Sequence, residues 1–210
     1  MNSTDVRREW AQRSGEFSPA YYAYYGPNET SDVIRRILER FLDRDASVLE
    51  LGCSSGRHLS HLFEHGFDTL AGIDVNDDAF DVMEETYPDL AASGEFYHGA
   101  IEDVIGEFDD DQFDAVYSVE TLQHVHPDAE WVFDELSRIT ADLLITVENE
   151  GSPDRTGSTD DVNYVNDEFP LYYRDWNAIF TDRGFDEVAV TSEKRDTIRT
   201  FRATSSRPDR

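Results

Sequence analysis

The stretch VLELGCSSGRHL, Val48 to Leu59, decides how the rest of the chain is read. A short apolar strand runs into a turn of glycines and serines, and the turn opens an amphipathic helix. Glycine supplies the backbone freedom such a turn needs and lets a ligand approach the main chain. The first helical turn leaves N–H groups free to meet that ligand. The combination is a cofactor cradle.

Working outward, Leu59, Leu62 and Phe63 form the buried stripe of a helix that Gly66 stops. A second strand, Thr69 to Val75, carries Asp74, 22 residues beyond Gly52. An acid at that strand tip is placed to accept hydrogen bonds from both hydroxyls of a ribose. Asn76 and Asp77 fit an ordinary helix cap, ahead of a helix over Ala79 to Tyr87. Glu95 to His98 reads as a strand and Phe113 to Val119 as the clearest buried one. Pro127 opens a helix predicted to run through Ile139, and Leu143 to Val147 is a fifth strand.

Upstream, Val33, Ile34, Ile37, Leu38 and Phe41 give helical spacing over Thr30 to Leu42, with Thr30 or Ser31 placed to cap it. Downstream, Trp176 to Arg183 reads as a helix stopped by Gly184. Phe185 to Thr191 and Ile198 to Ala203 alternate as a closing strand pair. The predicted fold is α/β: a three-layer, Rossmann-like sheet, mostly parallel and seven-stranded, with an antiparallel C-terminal hairpin and ligands at the carboxyl ends of the first strands.

Taken in order, these motifs resemble those of the class I S-adenosylmethionine (SAM)-dependent methyltransferases, from about Ser31 to Ala203. The family's first motif, an acid, an apolar residue and GxGxG, stands here as Glu50, Leu51, Gly52, Cys53, Ser54, Ser55 and Gly56, with Ser54 at the middle glycine. GIDV, Gly72 to Val75, is similar to the second motif. In the third, Ala100 stands where the family commonly has Asp or Asn, followed by Ile101, Glu102 and Asp103. FDAVYSV and the residues through His126 look like the fourth. The usual Pro-Gly-Gly lead-in to the fifth strand is replaced by Thr140, Ala141 and Asp142.

The resemblance implies S-adenosyl-L-methionine as cofactor, bound by Glu50, Gly52, Cys53, Ser54, Gly56, Asp74, Val75, Ile101, Glu102 and Ser118. It implies methyl transfer by direct in-line displacement to a small-molecule acceptor. His124, beside the cofactor and of near-neutral pKa, is the candidate general base, and a residue that merely satisfies its loop is the competing reading. A non-catalytic SAM- or nucleotide-binding module is the alternative function, motivated by Ser54 and Ala100. No metal site is expected: neither His124 with His126 nor His58, His61 and His65 brings a carboxylate at ligand spacing. A plain dinucleotide-binding domain is disfavoured by the absence of GxGxxG, and a triphosphatase by the absence of a P-loop signature.

Two segments flank this core. Met1 to Asn28 is polar, then aromatic, with Tyr21, Tyr22, Tyr24 and Tyr25 ended by Gly26 and Pro27. It is expected to form a cap over residues 1–30, with Tyr21 and Tyr25 offered to the substrate, or else a helix packed on the domain edge. The domain proper is expected over residues 31–204. Within it, residues 150–172 form a lid or substrate loop ending in Tyr172 and Tyr173, with disorder as the competing reading, and residues 205–210 fray.

Composition bounds the rest. The chain has 210 residues, enough for one well-buried domain, and 39% of them are hydrophobic. No stretch of about eighteen apolar residues occurs, so no membrane partner is expected and the protein is read as cytoplasmic. Cys53 is the single cysteine, which excludes an internal disulfide. Forty-six acids face 18 bases, for a net charge of -28, and Lys194 is the one lysine. An acidic, lysine-poor surface spread over the whole chain reads as halophilic adaptation, with an acidic face for a basic partner as the alternative. It disfavours nucleic acid as a partner. A monomer or homodimer is expected.

Overall fold

Apolar and amphipathic runs alternate along the chain and fold in that order. The computed structural model describes residues 2–151, 162–165, 169–192 and 195–204. The first half comprises helices α1 (Ser3–Ala11), α2 (Pro19–Tyr25) and α3 (Glu29–Phe41), strand β1 (Val48–Leu51), α4 (Arg57–Glu64), β2 (Leu70–Asp74), α5 (Ala79–Thr86), α6 (Pro88–Ser93), β3 (Glu95–His98) and α7 (Ile101–Val104). The second comprises β4 (Phe113–Val119), α8 (Val132–Ile139), β5 (Thr140–Glu148), β6 (Val162–Val165), β7 (Phe169–Tyr172), α9 (Trp176–Thr181), β8 (Phe185–Ser192) and β9 (Thr197–Ala203).

Seven strands make one sheet in the order β3-β2-β1-β4-β5-β9-β8. The first five pair in parallel, and β9 runs antiparallel to both β5 and β8. The chain steps outward from β1 to β3, then returns to place β4 on the other side of β1. The crevice at that reversal, beyond the carboxyl ends of the strands, is where such sheets bind ligands.

Strand alternation separates two cores. Val48, Ala115, Tyr117, Leu143 and Ile145 point to the face covered by Ile34, Leu38, Leu59, Leu62 and Met83. Leu49, Leu51, Val116 and Leu144 point to the opposite face, against Phe133, Leu136, Trp176 and Phe180. Helices therefore cover both faces, and the central strands are buried along most of their length, as parallel strands require. Each fully buried large side chain, such as Phe133 or Phe180, contributes roughly 1.5–3 kcal/mol through apolar burial.

Three local expectations are corrected. Asn28, not Thr30 or Ser31, caps α3: its side chain accepts the Ser31 N–H while the Ser31 hydroxyl accepts the Asn28 N–H, a reciprocal capping box. The single helix expected from Pro127 to Ile139 is a 3-10 turn at Pro127–Ala129 followed by α8, because the His126 ring closes the short turn on Asp128 N–H. Thr140, Ala141 and Asp142 belong to β5, where Asp142 pairs with Arg202 of β9. Of the loop expected over residues 150–172, β6 and β7 form an antiparallel hairpin, while residues 152–161 and 166–168 lie outside the described residues. The fraying expected of residues 205–210 falls outside them too. Among the described residues no helix is long and apolar enough to cross a membrane.

Candidate functional site

The turn after β1 puts three residues at positive φ: Gly52 at 67°, Ser54 at 51° and Gly56 at 79°. A Cβ on Gly52 would lie 2.3 Å from Thr121 Oγ1, so the loop after β4 passes directly over the turn and only glycine fits beneath it. Ser54 adopts the same backbone region with a side chain, at a cost of roughly 1–2 kcal/mol. Its N–H donates to Asp74 Oδ2 at 2.7 Å, and Asp74 Oδ1 accepts Asn76 N–H at 2.8 Å. The acid at the tip of β2 thus ties turn and strand together. A carboxylate offers about four lone-pair sites, so acceptor capacity remains for ligand hydroxyls. Desolvation raises the Asp74 pKa, opposed by those two backbone N–H groups.

Two buried acids brace the cradle from below. Glu50 is 1% exposed and accepts from the Tyr117 hydroxyl at 3.0 Å; burial pushes its pKa well up. Glu148, at the end of β5, is fully buried and accepts from the Ser118 hydroxyl and from the N–H groups of Thr121, Leu122 and Gln123 at 3.0–3.3 Å. It closes the first turn of the loop that carries His124. Burial pushes Glu148 up to about 7 against the pull of those donors.

Above the cradle lies an open cleft. Its floor includes Gly52, Ser54, Asp74, Val75 and Ile101; its roof is Val6, Trp10, Phe17 and Tyr22 of the N-terminal segment. His124 stands at the boundary, its ring 4.9 Å from that of Trp10, which in turn packs 4.3 Å from Phe169. His124 Nδ1 lies 2.9 Å from the Pro170 carbonyl. A carbonyl only accepts, so Nδ1 carries the proton and Nε2 is the lone-pair nitrogen of the neutral ring. Burial lowers the His124 pKa to about 4, well below the near-neutral value expected of it from sequence, and keeps the ring neutral near pH 7. Tyr22, pushed up to about 12 by burial and then by Glu120, keeps its hydroxyl proton.

This geometry has relatives. Residues 48–142, which contain the turn, Asp74 and the loop through His124, match the family described as methyltransferase domain. The match is a likeness over less than half of the chain. Over 91 residues the chain is 35% identical to the O-antigen chain terminator bifunctional methyltransferase/kinase WbdD of Escherichia coli; that match covers 42% of this chain and only 12% of the relative's length. Among solved structures, magnesium protoporphyrin IX methyltransferase from Synechocystis with bound SAM superposes over 96% of this chain and 97% of its own, with a TM-score of 0.68 and 17% identity. The cyclase SpnF superposes over 83% and 81% with a TM-score of 0.67 and 12% identity. The fold is therefore the Rossmann-like fold seen in SAM-dependent methyltransferases, and the cyclase SpnF shows that this fold alone does not name a reaction.

Around this cleft, the residues singled out from sequence fall into three groups. Gly52, Ser54, Asp74, Val75, Ile101, Glu102 and His124 all line the cleft. Glu50, Cys53, Gly56 and Ser118 are buried beside or beneath it, with Ser118 committed to Glu148. Tyr21, Tyr25, Tyr172 and Tyr173 are not among its lining residues. Tyr25 is 63% exposed, the Tyr172 ring packs on His126, and the Tyr173 hydroxyl accepts from Asn163. Trp10, Phe17, Tyr22, Arg57, Asn76 and Glu120 line the cleft without having been singled out as site residues. Among the described residues no three His, Cys, Asp or Glu side chains are grouped to hold a metal ion.

Proposed function

We propose that this chain transfers the methyl group of S-adenosyl-L-methionine to a small, partly apolar acceptor held between the N-terminal segment and the loop after β4. One observation carries the reading: a single cleft at the carboxyl ends of β1, β2 and β4 has a polar floor built around Asp74 and a roof of Val6, Trp10, Phe17 and Tyr22. The floor suits a nucleoside cofactor, and the roof suits a compact acceptor.

S-adenosyl-L-methionine is the cofactor; when bound, it supplies a methyl group on a sulfonium, a leaving group that needs no further activation. Asp74 would accept from the ribose hydroxyls through its remaining lone pairs, and Val75 and Ile101 would offer apolar faces to the base. The work left to the chain is alignment for in-line displacement, which contributes up to roughly 7–11 kcal/mol when geometry is held well. With cofactor and acceptor bound, His124 would present Nε2 to the acceptor and take up its proton. Residues 1–30 act as the cap of a domain spanning 31–204, and the 150–172 segment supplies Phe169 and Pro170 behind Trp10 and His124. A small-molecule acceptor follows from this capped geometry.

Screening a panel of small hydroxyl, amine and carboxylate metabolites for methyl transfer, with His124→Ala beside wild type, tests the proposal. Turnover should fall by roughly 10²–10⁴ in the variant while affinity for S-adenosylhomocysteine holds. Cofactor binding with no transfer to any acceptor would favour the non-catalytic module, to which the strained Ser54 points.

A further inference from the structure

Arg57, the first residue of α4, lines the cleft and carries a charge that no described residue neutralises within ion-pair distance. Arg7, Arg35, Arg138, Arg183, Arg199 and Arg202 each have a carboxylate at 2.6–3.0 Å. In a chain with 46 acids, a half-buried arginine left without one is the exception. Glu50, the acid beneath the turn, is committed to Tyr117 instead.

The guanidinium is nonetheless held. Its Nε donates to His58 Nε2 at 3.2 Å, and its carbon lies 4.5 Å from the centroid of the Tyr22 ring. The two terminal nitrogens make no hydrogen bond to a described residue. Because Arg57 can only donate, His58 Nε2 must be a lone pair, and the ring proton sits on Nδ1. Nδ1 then donates to the Ser31 hydroxyl at 2.8 Å. Ser31 is itself set by Asn28 in the capping box of α3, where its oxygen accepts the Asn28 N–H at 3.0 Å. His58 is only 4% exposed. A directed relay therefore runs from a helix cap through a buried, neutral imidazole to a cation in the cleft.

We infer that Arg57 is the receptor for a carboxylate of the cleft's ligand, and that His58 is the positioning residue that sets its fork. A guanidinium with both terminal nitrogens available matches a carboxylate in two parallel hydrogen bonds, which an ammonium does not. The carboxylate belongs either to the amino-acid end of the cofactor, so that this inference rests on the proposed use of SAM, or to the acceptor.

Calorimetry on wild type, Arg57→Gln, His58→Leu and His58→Gln separates these. S-adenosylhomocysteine and 5′-methylthioadenosine share the adenosine and the thioether, and only the first has the amino-acid end. If the cofactor is the source, Arg57→Gln weakens S-adenosylhomocysteine by about 10- to 100-fold and leaves methylthioadenosine unchanged, which also shows the variant is folded. If the acceptor is the source, both adenosine ligands are unaffected, and benzoate titrated into S-adenosylhomocysteine-saturated protein binds wild type but not Arg57→Gln. In either case His58→Leu reproduces the selective loss, and His58→Gln, which keeps an acceptor atom for Arg57, restores most of it. Unchanged ligand discrimination and unchanged benzoate binding in Arg57→Gln would overturn the receptor. A selective loss in Arg57→Gln without one in His58→Leu overturns the positioning role. Should wild type bind neither adenosine ligand, the methyltransferase reading fails, and benzoate still decides the receptor.

Discussion

Asn76 holds Trp10 in place through the main chain: its side-chain amide donates to the Trp10 carbonyl at 2.9 Å and to the Arg13 carbonyl at 3.1 Å. Asp77 N–H adds a bond to the Ala11 carbonyl at 2.9 Å. The end of β2, which carries Asp74 on the cleft floor, therefore also fastens the roof. Asn76→Ala removes both carbonyl contacts and should cost about 1–3 kcal/mol in urea denaturation. Hydrogen exchange should accelerate first in residues 3–13, as a locally released cap requires. Acceleration spread evenly over the sheet would show that the segment is not held separately.

Glu148 should leave a signature in the pH dependence of stability. Its folded pKa of about 7 exceeds the usual glutamate value of 4.5, so between those values the native state binds more protons than the unfolded state. Stability from this group is complete below about pH 4.5 and is lost as pH rises through 7, by roughly 3 kcal/mol at most. Glu148→Gln, which cannot titrate, should show a flatter profile over that window in denaturation series at stepped pH. His124 acts with the opposite sign: its value of about 4 means that stability is lost as pH falls from about 6.5. Parallel profiles for wild type and Glu148→Gln would contradict the assignment.

The two ends of the cofactor turn should respond oppositely to small changes. Ser54→Gly relieves a positive φ and keeps the N–H that Asp74 accepts, so it should raise stability by up to about 1 kcal/mol without weakening cofactor binding. Gly52→Ala meets Thr121 and a positive φ together, and should cost over about 2 kcal/mol and displace the His124 loop. Thermal melting and S-adenosylhomocysteine titration check both. A destabilised Ser54→Gly would mean that the serine hydroxyl has a partner worth more than the strain.

Salt should act strongly. We read the net charge of -28 as an adaptation to high salt, in which repulsion among carboxylates is screened over about 3 Å at 1 M and about 30 Å at 0.01 M. The melting temperature should climb steeply from low salt to molar KCl. A melting temperature independent of KCl would remove that reading.

How much of this was legible in the sequence depended on the range over which each residue acts. The turn from Gly52 to Gly56, Asp74 and the alternation of Val48 with Leu49 are local features, and backbone geometry or strand period exposes them directly. Glu148 acts on Leu122, 26 residues away, and Asn76 on Trp10, 66 residues away. Nothing in a single run of residues marks such partners. The tyrosine run shows a further limit. Successive residues on a helix point about 100° apart, so Tyr21 and Tyr25, one turn apart with rings 4.9 Å from each other, share a face that Tyr22 does not. Only Tyr22 of the four lines the cleft, while Tyr24 is 83% exposed.

The central claim is that Asp74 and the turn above β1 bind the adenosyl part of S-adenosyl-L-methionine. Calorimetric titration of S-adenosylhomocysteine and of NAD into wild type and Asp74→Ala tests it most directly. S-adenosylhomocysteine should bind more tightly than NAD, and Asp74→Ala should weaken it by about 10- to 100-fold, since charged hydrogen bonds to ribose and the brace on Ser54 are lost together. Tighter binding of NAD, or S-adenosylhomocysteine affinity indifferent to Asp74→Ala, would contradict it.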